Sequence, residues 1–214
     1  MRGAIFDMDG LLLDTERLYQ ESWVEMAKQF GQTPDPFFPT VVSGTSGEGM
    51  REVIHTHYPG VDPYAFQEGC IARVDAILDT QGAPVKPGAR EILTFLQARG
   101  IKLAAASSSS QERILKNFRY AWLDSFFDAV VSGQEVARGK PEPDIFLLAA
   151  ERIGCLPEAC YVFEDSVNGI RAGIVAGCVT VMVPDLAQPP EGLAVSRVCA
   201  SLNEAKTLIE QDIL

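Results

Sequence analysis

The chain has 214 residues, 47% of them hydrophobic and 22% charged, which suits one buried core with a modest inserted module and argues against a disordered chain. Its formal net charge of −11, with no basic patch to offset it, excludes nucleic acid and an anionic membrane surface as expected partners. The first carboxylate, Asp7, comes too early for a secretory leader, and no apolar run could span a bilayer, so we expect a cytoplasmic protein.

The chain opens with a short apolar run that ends in acidic residues. Residues 4–6 precede Asp7, Asp9 and Gly10, a pattern that predicts a buried first strand followed by a functional loop. A helix is predicted over Thr15–Gly31, because apolar residues recur there every three or four positions and the final glycine can cap the helix.

Residues 34–82 differ in pattern from the rest of the chain. Proline, glycine and aromatic residues punctuate helical segments there, and no segment shows a confident strand pattern. We therefore predict an inserted helical cap domain over residues 17–82, with residues 1–16 and 83–214 forming an α/β core domain.

Strands and helices alternate after the insertion. Helices are predicted over residues 89–99, 111–118, 144–153 and 167–177, and strands over 101–106, 129–132, 160–163 and 179–183. This alternation predicts a Rossmann-like parallel sheet covered by helices on both faces. Because such sheets bind ligands beyond the carboxyl ends of their strands, polar residues at those ends are the candidates for function.

Polar side chains follow four of the predicted strands, and all of them would meet at one edge of the sheet. In chain order they are Asp7 and Asp9, Ser107, Lys140, and Glu164 with Asp165. An Asp-x-Asp-Gly sequence alone is weak evidence, because it occurs in many turns and calcium loops. Four such positions at successive strand ends predict a catalytic site.

The acidic residues suit magnesium-assisted phosphate chemistry. The carboxylates of Asp7, Glu164 and Asp165, with the backbone carbonyl of Asp9, would form an oxygen cage for a hard octahedral ion that keeps some of its waters. With Mg²⁺ bound, Asp7 could attack a phosphate as nucleophile, and Asp9 could act as general acid and then as base toward water.

The other positions each allow a structural alternative. Lys140 could hold phosphate oxygens, or it could be a surface lysine before a helix. Ser107 and the N–H groups after it could receive an anion, or the serines at 107–110 could simply cap a helix. The acidic pair 164–165 could be no more than dipole partners of the helix that follows.

Four segments resemble the ordered motifs of the haloacid dehalogenase superfamily. They are Asp-Met-Asp-Gly-Leu-Leu-Leu-Asp-Thr at residues 7–15, Ser107, Lys-Pro-Glu-Pro-Asp at 140–144 and Glu-Asp-Ser-Val-Asn-Gly at 164–169. The resemblance covers nearly the whole core and implies the subgroup with a helical cap after the first motif, close to sugar-phosphate phosphatases and pseudouridine 5'-phosphate phosphatases. The dehalogenases of this family lack the second aspartate of the first motif, so the presence of Asp9 disfavours that branch.

The resemblance implies a Mg²⁺-dependent phosphatase that acts on a small phosphorylated metabolite, a sugar phosphate or a nucleotide-like monophosphate, through an aspartyl-phosphate. The catalytic residues would be Asp7, Asp9, Ser107 and Lys140, and the metal ligands Asp7, Asp9, Glu164 and Asp165. Substrate contacts are expected from Ser107, Ser108, Lys140, Asn168, Thr45, Ser46 and Arg51.

Two other functions are considered. A phosphomutase of the beta-phosphoglucomutase type shares the core, but its pattern has an Arg after Gly-x-Ser, where residues 44–47 are Gly-Thr-Ser-Gly, and a His where this chain has Tyr19. Arg51, about one helical turn further on, could substitute for the missing Arg. A non-catalytic binding protein is disfavoured because all the catalytic residue types are present.

The histidines and cysteines are expected to be structural. His55 and His57 are two residues apart, which places them on different faces of a helix, so a shared metal is not expected. The five cysteines are dispersed and lack metal-knuckle or redox spacing, which predicts reduced thiols. A monomer is the default expectation.

Overall fold

The computed structural model describes residues 2–42, 45, 47–185 and 188–213. The chain divides into two compact units, Met1–Asp14 with Ala83–Leu214, and Thr15–Gly82. The helices in chain order are α1 (Thr15–Gln29), α2 (Phe38–Val42), α3 (Gly47–His57), α4 (Pro63–Gln81), α5 (Ala89–Ala98), α6 (Gln111–Ala121), α7 (Asp144–Arg152), α8 (Val167–Val175) and α9 (Leu202–Ile213). Short 3₁₀ turns lie at Asp124–Phe126, Gly133–Glu135 and Pro157–Ala159.

A parallel sheet forms the centre of the first unit. Its strands are β1 (Gly3–Phe6), β2 (Lys102–Ser107), β3 (Ala129–Ser132), β4 (Cys160–Glu164), β5 (Val179–Met182) and β6 (Arg197–Val198). They lie in the order β3-β2-β1-β4-β5-β6, and each neighbouring pair is parallel. Every residue of β1 is buried, as a strand with neighbours on both sides and helices on both faces requires. The predicted α/β fold is confirmed.

Apolar side chains of the sheet and of α7 and α8 form a continuous core on one face. Ile5 and Val131 contribute from the strands, Phe146 and Ala149 from α7, and Ala172 from α8. All five of these side chains, from two strands and two helices, are inaccessible to solvent, so tight packing fixes the strands whose ends carry the polar residues.

The second unit consists of α1 to α4 around an aromatic core. Trp23, Phe38, Tyr58 and Phe66 are all buried there, with Phe38 packed edge-on against Trp23 and Phe66. Asp62 caps the start of α4, because its side chain accepts hydrogen bonds from the first backbone N–H groups of that helix. All the regular secondary structure in the described part of this unit is helical, and there is no strand there.

The two points where the chain leaves and re-enters the first unit are joined to each other. Asp14 N donates to Pro84 O at 2.9 Å, and Lys86 N donates to Leu12 O at 2.9 Å. The Lys86 ammonium lies 2.7 Å from Asp185 and 3.4 Å from Asp14. The segments that flank the helical insertion are therefore paired within the core unit itself.

Some elements differ from the sequence prediction. Ser107 and Glu164 are the last residues of β2 and β4 and do not lie beyond them, because Ser107 pairs with Ser132 and Glu164 with Met182 in the sheet. The short β6 and the helix α9 were not predicted, although Ser201 accepts a hydrogen bond from Glu204 N at the start of α9, a recognisable cap. No helix in the described part of the chain is long and apolar enough to cross a membrane.

Candidate active site

Lys140 lies at the centre of the polar strand ends. Its ammonium is 2.5 Å from Asp7 Oδ1 and 2.6 Å from Glu164 Oε1, and it donates to Ala106 O at 3.1 Å. These three acceptors match the three N–H donors of an ammonium group. The side chain is only 7% exposed, so the surface alternative for Lys140 is wrong. Burial lowers the pKa of Lys140, but the charges of Asp7 and Glu164 outweigh that effect and raise it overall.

The loop around Lys140 is held by its neighbours. Arg138 forms hydrogen bonds with both carboxylate oxygens of Asp144 at 3.2 and 2.8 Å, and its guanidinium lies 3.3 Å from Glu142. The bond between Lys140 and Pro141 is cis. The loop that carries the Lys140 ammonium group is thus held by ion pairs between Arg138 on one side of Lys140 and Glu142 and Asp144 on the other.

Asp7 follows β1 directly and extends its pairing, because its N–H donates to Phe163 O at 3.0 Å. Burial raises the pKa of the Asp7 carboxyl to about 7; Lys140 lowers it in part, while Glu164 and Asp9 raise it further. Asp165 behaves similarly: burial, then Glu164, then Asp7 raise its pKa well above the ordinary value. Crowded, desolvated carboxylates of this kind are stabilised by a bound cation.

Gly10 makes the close approach of Asp165 to the first loop possible. Its φ of +85° lies in the left-handed region, and a Cβ at this position would fall 2.5 Å from Asp165 Oδ2. The loop is closed by Gly10 N donating to Leu13 O and by Leu12 N donating to Met8 O. A side chain at residue 10 would therefore push Asp165 away from this loop.

Glu164 is oriented toward Lys140 and the start of α8. Its Oε2 accepts hydrogen bonds from Ser166 N at 2.9 Å and Ser166 Oγ at 2.8 Å, and a Cβ on Gly169 would collide with the carboxylate. Both oxygens are thus already engaged in a side chain that is 1% exposed. That Glu164 supplies a third metal-binding carboxylate stays a prediction, and in this structure both of its oxygens accept hydrogen bonds from protein groups.

The oxygen donors at this edge of the sheet fit a magnesium ion. In the described part of the chain, no three acidic, histidine or cysteine side chains are grouped so as to hold a metal. The carboxylates of Asp7 and Asp165, with the backbone carbonyl of Asp9, would supply oxygen ligands only. Mg²⁺ is commonly bound by one or two carboxylates while it keeps several waters, so these ligands would suit it with or without Glu164.

The Asp9 side chain points to the run of serines that begins at the end of β2. Its Oδ2 accepts a hydrogen bond from Ser109 Oγ at 3.0 Å and a longer one from Ser107 Oγ at 3.4 Å. Ser110 caps α6 by accepting from Arg113 N at 3.3 Å. Sequence reasoning named Ser107 and Ser108 and missed Ser109, because four identical residues in a row give no signal of which hydroxyl faces the site.

The other predicted contact residues lie in different surroundings. Asn168 is exposed in the first turn of α8. In the helical unit, Thr45 Oγ1 donates to Val42 O at 2.6 Å, and the Arg51 guanidinium lies 4.5 Å from the centre of the Tyr64 ring. Ser46 lies outside the described residues. Ser108 lies close to the backbone of residue 133, where a Cβ on Gly133 would be 3.0 Å from Ser108 Cα.

The two histidines of the helical unit lie in different surroundings. His57 Nδ1 lies 2.6 Å from Asp35 Oδ2, and its ring packs edge-on against Phe38. The hydrogen bond with His57 is the main reason that the pKa of Asp35 is lowered. His55 is exposed on the same helix.

Comparison with known proteins identifies clear relatives. The family model described as haloacid dehalogenase-like hydrolase matches residues 1–177. A phosphorylated carbohydrates phosphatase from Thermotoga maritima is 33% identical, over 98% of this chain and 91% of its own length. A Drosophila melanogaster protein named "probable pseudouridine-5'-phosphatase" is 38% identical, over 95% of this chain and 90% of its own. The crystal structure of a HAD family hydrolase from Deinococcus radiodurans R1, with bound phosphate and sodium, is 29% identical with a TM-score of 0.79, covering 100% of this chain and 97% of its own.

Proposed function

The chain belongs to the haloacid dehalogenase-like hydrolase family and is a phosphoric monoester hydrolase, and from this premise we propose that it is a magnesium-dependent phosphatase that uses Asp7 as nucleophile. The observation that carries the proposal is the buried group in which Lys140 contacts Asp7 and Glu164 while Asp165 lies against Gly10. A phosphate that reaches this edge of the sheet meets a carboxylate and an ammonium group in one place.

In the first step an Asp7 carboxylate oxygen forms a bond to phosphorus, and the bond from phosphorus to the leaving oxygen breaks. Asp9 donates a proton to that oxygen, so that an alcohol leaves and an aspartyl-phosphate remains on Asp7. Lys140 offsets the negative charge beside the attacking carboxylate, because its ammonium is held 2.5 Å from Asp7 Oδ1. Ser107 and the N–H groups that follow it would receive the phosphate oxygens when substrate binds.

In the second step Asp9 takes a proton from a water molecule, whose oxygen attacks the phosphorus. The bond between phosphorus and Asp7 then breaks, which releases inorganic phosphate and restores the carboxylate. When bound by Asp7, Asp165 and the Asp9 carbonyl, Mg²⁺ would supply positive charge that lets a carboxylate approach an anionic phosphate.

A small phosphorylated metabolite is the proposed substrate. The relatives support this class, since the names they carry specify phosphorylated carbohydrates and pseudouridine 5'-phosphate. The formal net charge of −11 favours a small substrate over nucleic acid, because long-range repulsion acts against a polyanion. A cytoplasmic location and a monomeric state remain predictions.

The direct test is a phosphate-release screen over sugar phosphates, nucleotides and pseudouridine 5'-phosphate in the presence of Mg²⁺. Release from at least one of these, lost in Asp7→Asn, is the expected result. No release from any of them would contradict the proposal.

A second assay distinguishes a phosphatase from a mutase. Beta-glucose 1-phosphate supplied with a catalytic amount of the 1,6-bisphosphate should yield free phosphate, because the cap lacks the arginine that the mutase pattern places after Gly-x-Ser. Glucose 6-phosphate that accumulates faster than free phosphate would establish the mutase instead.

A further inference from the structure

Four consecutive serines begin at the last residue of β2, and the side chains of Ser107, Ser109 and Ser110 each form hydrogen bonds. Ser107 Oγ accepts from Ser109 N at 3.1 Å and contacts Asp9 Oδ2 at 3.4 Å. Ser109 Oγ donates to the same oxygen of Asp9 at the shorter distance of 3.0 Å. Ser110 Oγ accepts from Arg113 N and so caps α6. Helix capping accounts for Ser110, but it does not explain why the Ser109 hydroxyl points at Asp9.

The main chain at Ser109 is held in place from the neighbouring strand. Ser132, the last residue of β3, is fully buried, and its Oγ donates to Ser109 O at 2.7 Å. Ser132 N in turn donates to Glu135 Oε1 at 2.8 Å, and Glu135 forms an ion pair with Arg152 of α7 at 2.5 Å. A continuous series of hydrogen bonds therefore runs from α7 through the end of β3 to Asp9.

We propose that Ser109 is a positioning residue for Asp9 and that Ser132 holds Ser109 in the orientation this requires. The inference rests on the proposed function, in which Asp9 protonates the leaving oxygen. A carboxyl group anchored by hydroxyl donors at one oxygen loses rotational freedom, so it meets the leaving oxygen in one orientation. Fixing a catalytic group in this way lowers the barrier because less freedom is lost in the transition state.

The role predicts a specific kinetic signature. Protonation of the leaving oxygen matters most for a poor leaving group and little for an acidic phenol. Loss of the Ser109 hydroxyl should therefore reduce kcat/KM more strongly as the leaving group becomes more basic. A merely structural loss would reduce kcat/KM by the same factor for every substrate.

The experiment measures kcat/KM for a series of aryl monophosphates, from 4-nitrophenyl phosphate to 4-methoxyphenyl phosphate, with Mg²⁺ present. The quantity compared is the slope of log kcat/KM against the pKa of the leaving phenol. Ser109→Ala should steepen the slope and lower kcat/KM about 10-fold at the basic end, with less than about 2-fold loss at the acidic end. Ser109→Thr, which keeps a hydroxyl group, should restore the slope.

Ser110→Ala is the matched control, because it removes a serine hydroxyl from the same run and weakens the helix cap without a contact to Asp9. Its slope should equal that of the wild type, even if its unfolding midpoint falls. A wild-type slope in Ser109→Ala would overturn the inference, as would an equal change in Ser110→Ala. Asp9→Asn tests the general-acid role of Asp9 separately from the positioning role of Ser109. If Asp9→Asn does not steepen the slope, Asp9 is not the general acid and the proposed function fails at that step.

Discussion

Lys140 and Glu164 form a buried ion pair, with 2.6 Å between Nζ and Oε1 and with both side chains almost inaccessible to water. Both oxygens of Glu164 are engaged by Lys140 and Ser166, which makes this carboxylate a support for the lysine. This ion pair affects the interpretation of substitutions at the site, because replacing Lys140 also leaves the buried Glu164 carboxylate without its cation.

Lys140→Ala is therefore expected to lower both stability and substrate capture. Breaking a buried ion pair by removing one partner typically costs about 3–5 kcal/mol, so the free energy of unfolding in urea should fall by an amount in this range. In variant protein that is still folded, KM for a phosphate ester should rise. Lys116→Ala, on α6, serves as the control, and an unchanged unfolding midpoint in Lys140→Ala would contradict the buried pair.

Asp7→Asn should abolish turnover while the fold is retained. The amide is nearly the same size as the carboxylate but is neither a nucleophile nor a good ligand for magnesium, so kcat should fall about 1,000-fold or more. Circular dichroism and the urea midpoint would check the fold. Activity above a tenth of the wild-type value would show that Asp7 does not form the covalent intermediate.

Removal of metal should stop turnover, and magnesium should restore it. Calcium should inhibit, because it prefers a higher coordination number and can engage Asp7 through both oxygens, one of which is needed for attack. Asp165→Ala should resemble the chelated wild type and should show little heat of Mg²⁺ binding in calorimetry. Full activity in excess chelator would be inconsistent with a metal at this site.

Arg51→Ala should alter substrate preference more than it alters the chemistry. If Arg51 contacts the part of the substrate remote from the phosphate, its loss should lower kcat/KM about 10-fold for the preferred metabolite. Hydrolysis of 4-nitrophenyl phosphate should change little. Arg73→Ala, an exposed arginine in the same helical unit, is the matched control. Equal losses on both substrates would assign Arg51 a structural role, through its position over the Tyr64 ring and its hydrogen bond to Gln67 Oε1 at 3.3 Å.

Glu135→Gln should reveal a small contribution to stability that depends on pH. The hydrogen bond from Arg152, followed by that from Ser132 N, lowers the pKa of Glu135 below its ordinary value of 4.5. A lowered carboxyl pKa contributes stability above the unfolded pKa and loses it as pH falls through the folded pKa. The difference in unfolding free energy from the wild type should stay under about 1 kcal/mol at pH 7, because the pair is partly exposed. It should disappear in acid, whereas the exposed Glu191→Gln should show no such trend.

The fold and the strand-end site could be predicted because both depend on local patterns. Buried parallel strands are continuous apolar runs, and the residues that follow them must meet at one edge of the sheet. The direction of a side chain at that edge was not predictable, since Glu164 turns to Lys140 while the adjacent Asp165 turns to Gly10. Which of the serines 107–110 contacts Asp9 could not be predicted from the sequence either, because the orientation of Ser109 depends on a hydrogen bond from Ser132 in a different strand.

The backbone hydrogen bonds that join Leu12 to Lys86 and Asp14 to Pro84 have a consequence for the evolution of this protein. Because the ends of the inserted segment lie side by side in the core unit, segments of very different length or sequence can be spliced between residues 14 and 83 without a shift in any strand. The ion pairs of Lys86 with Asp14 and Asp185 close this junction from the core side. The helical unit can therefore differ in length or sequence while the side chains at the strand ends keep their positions.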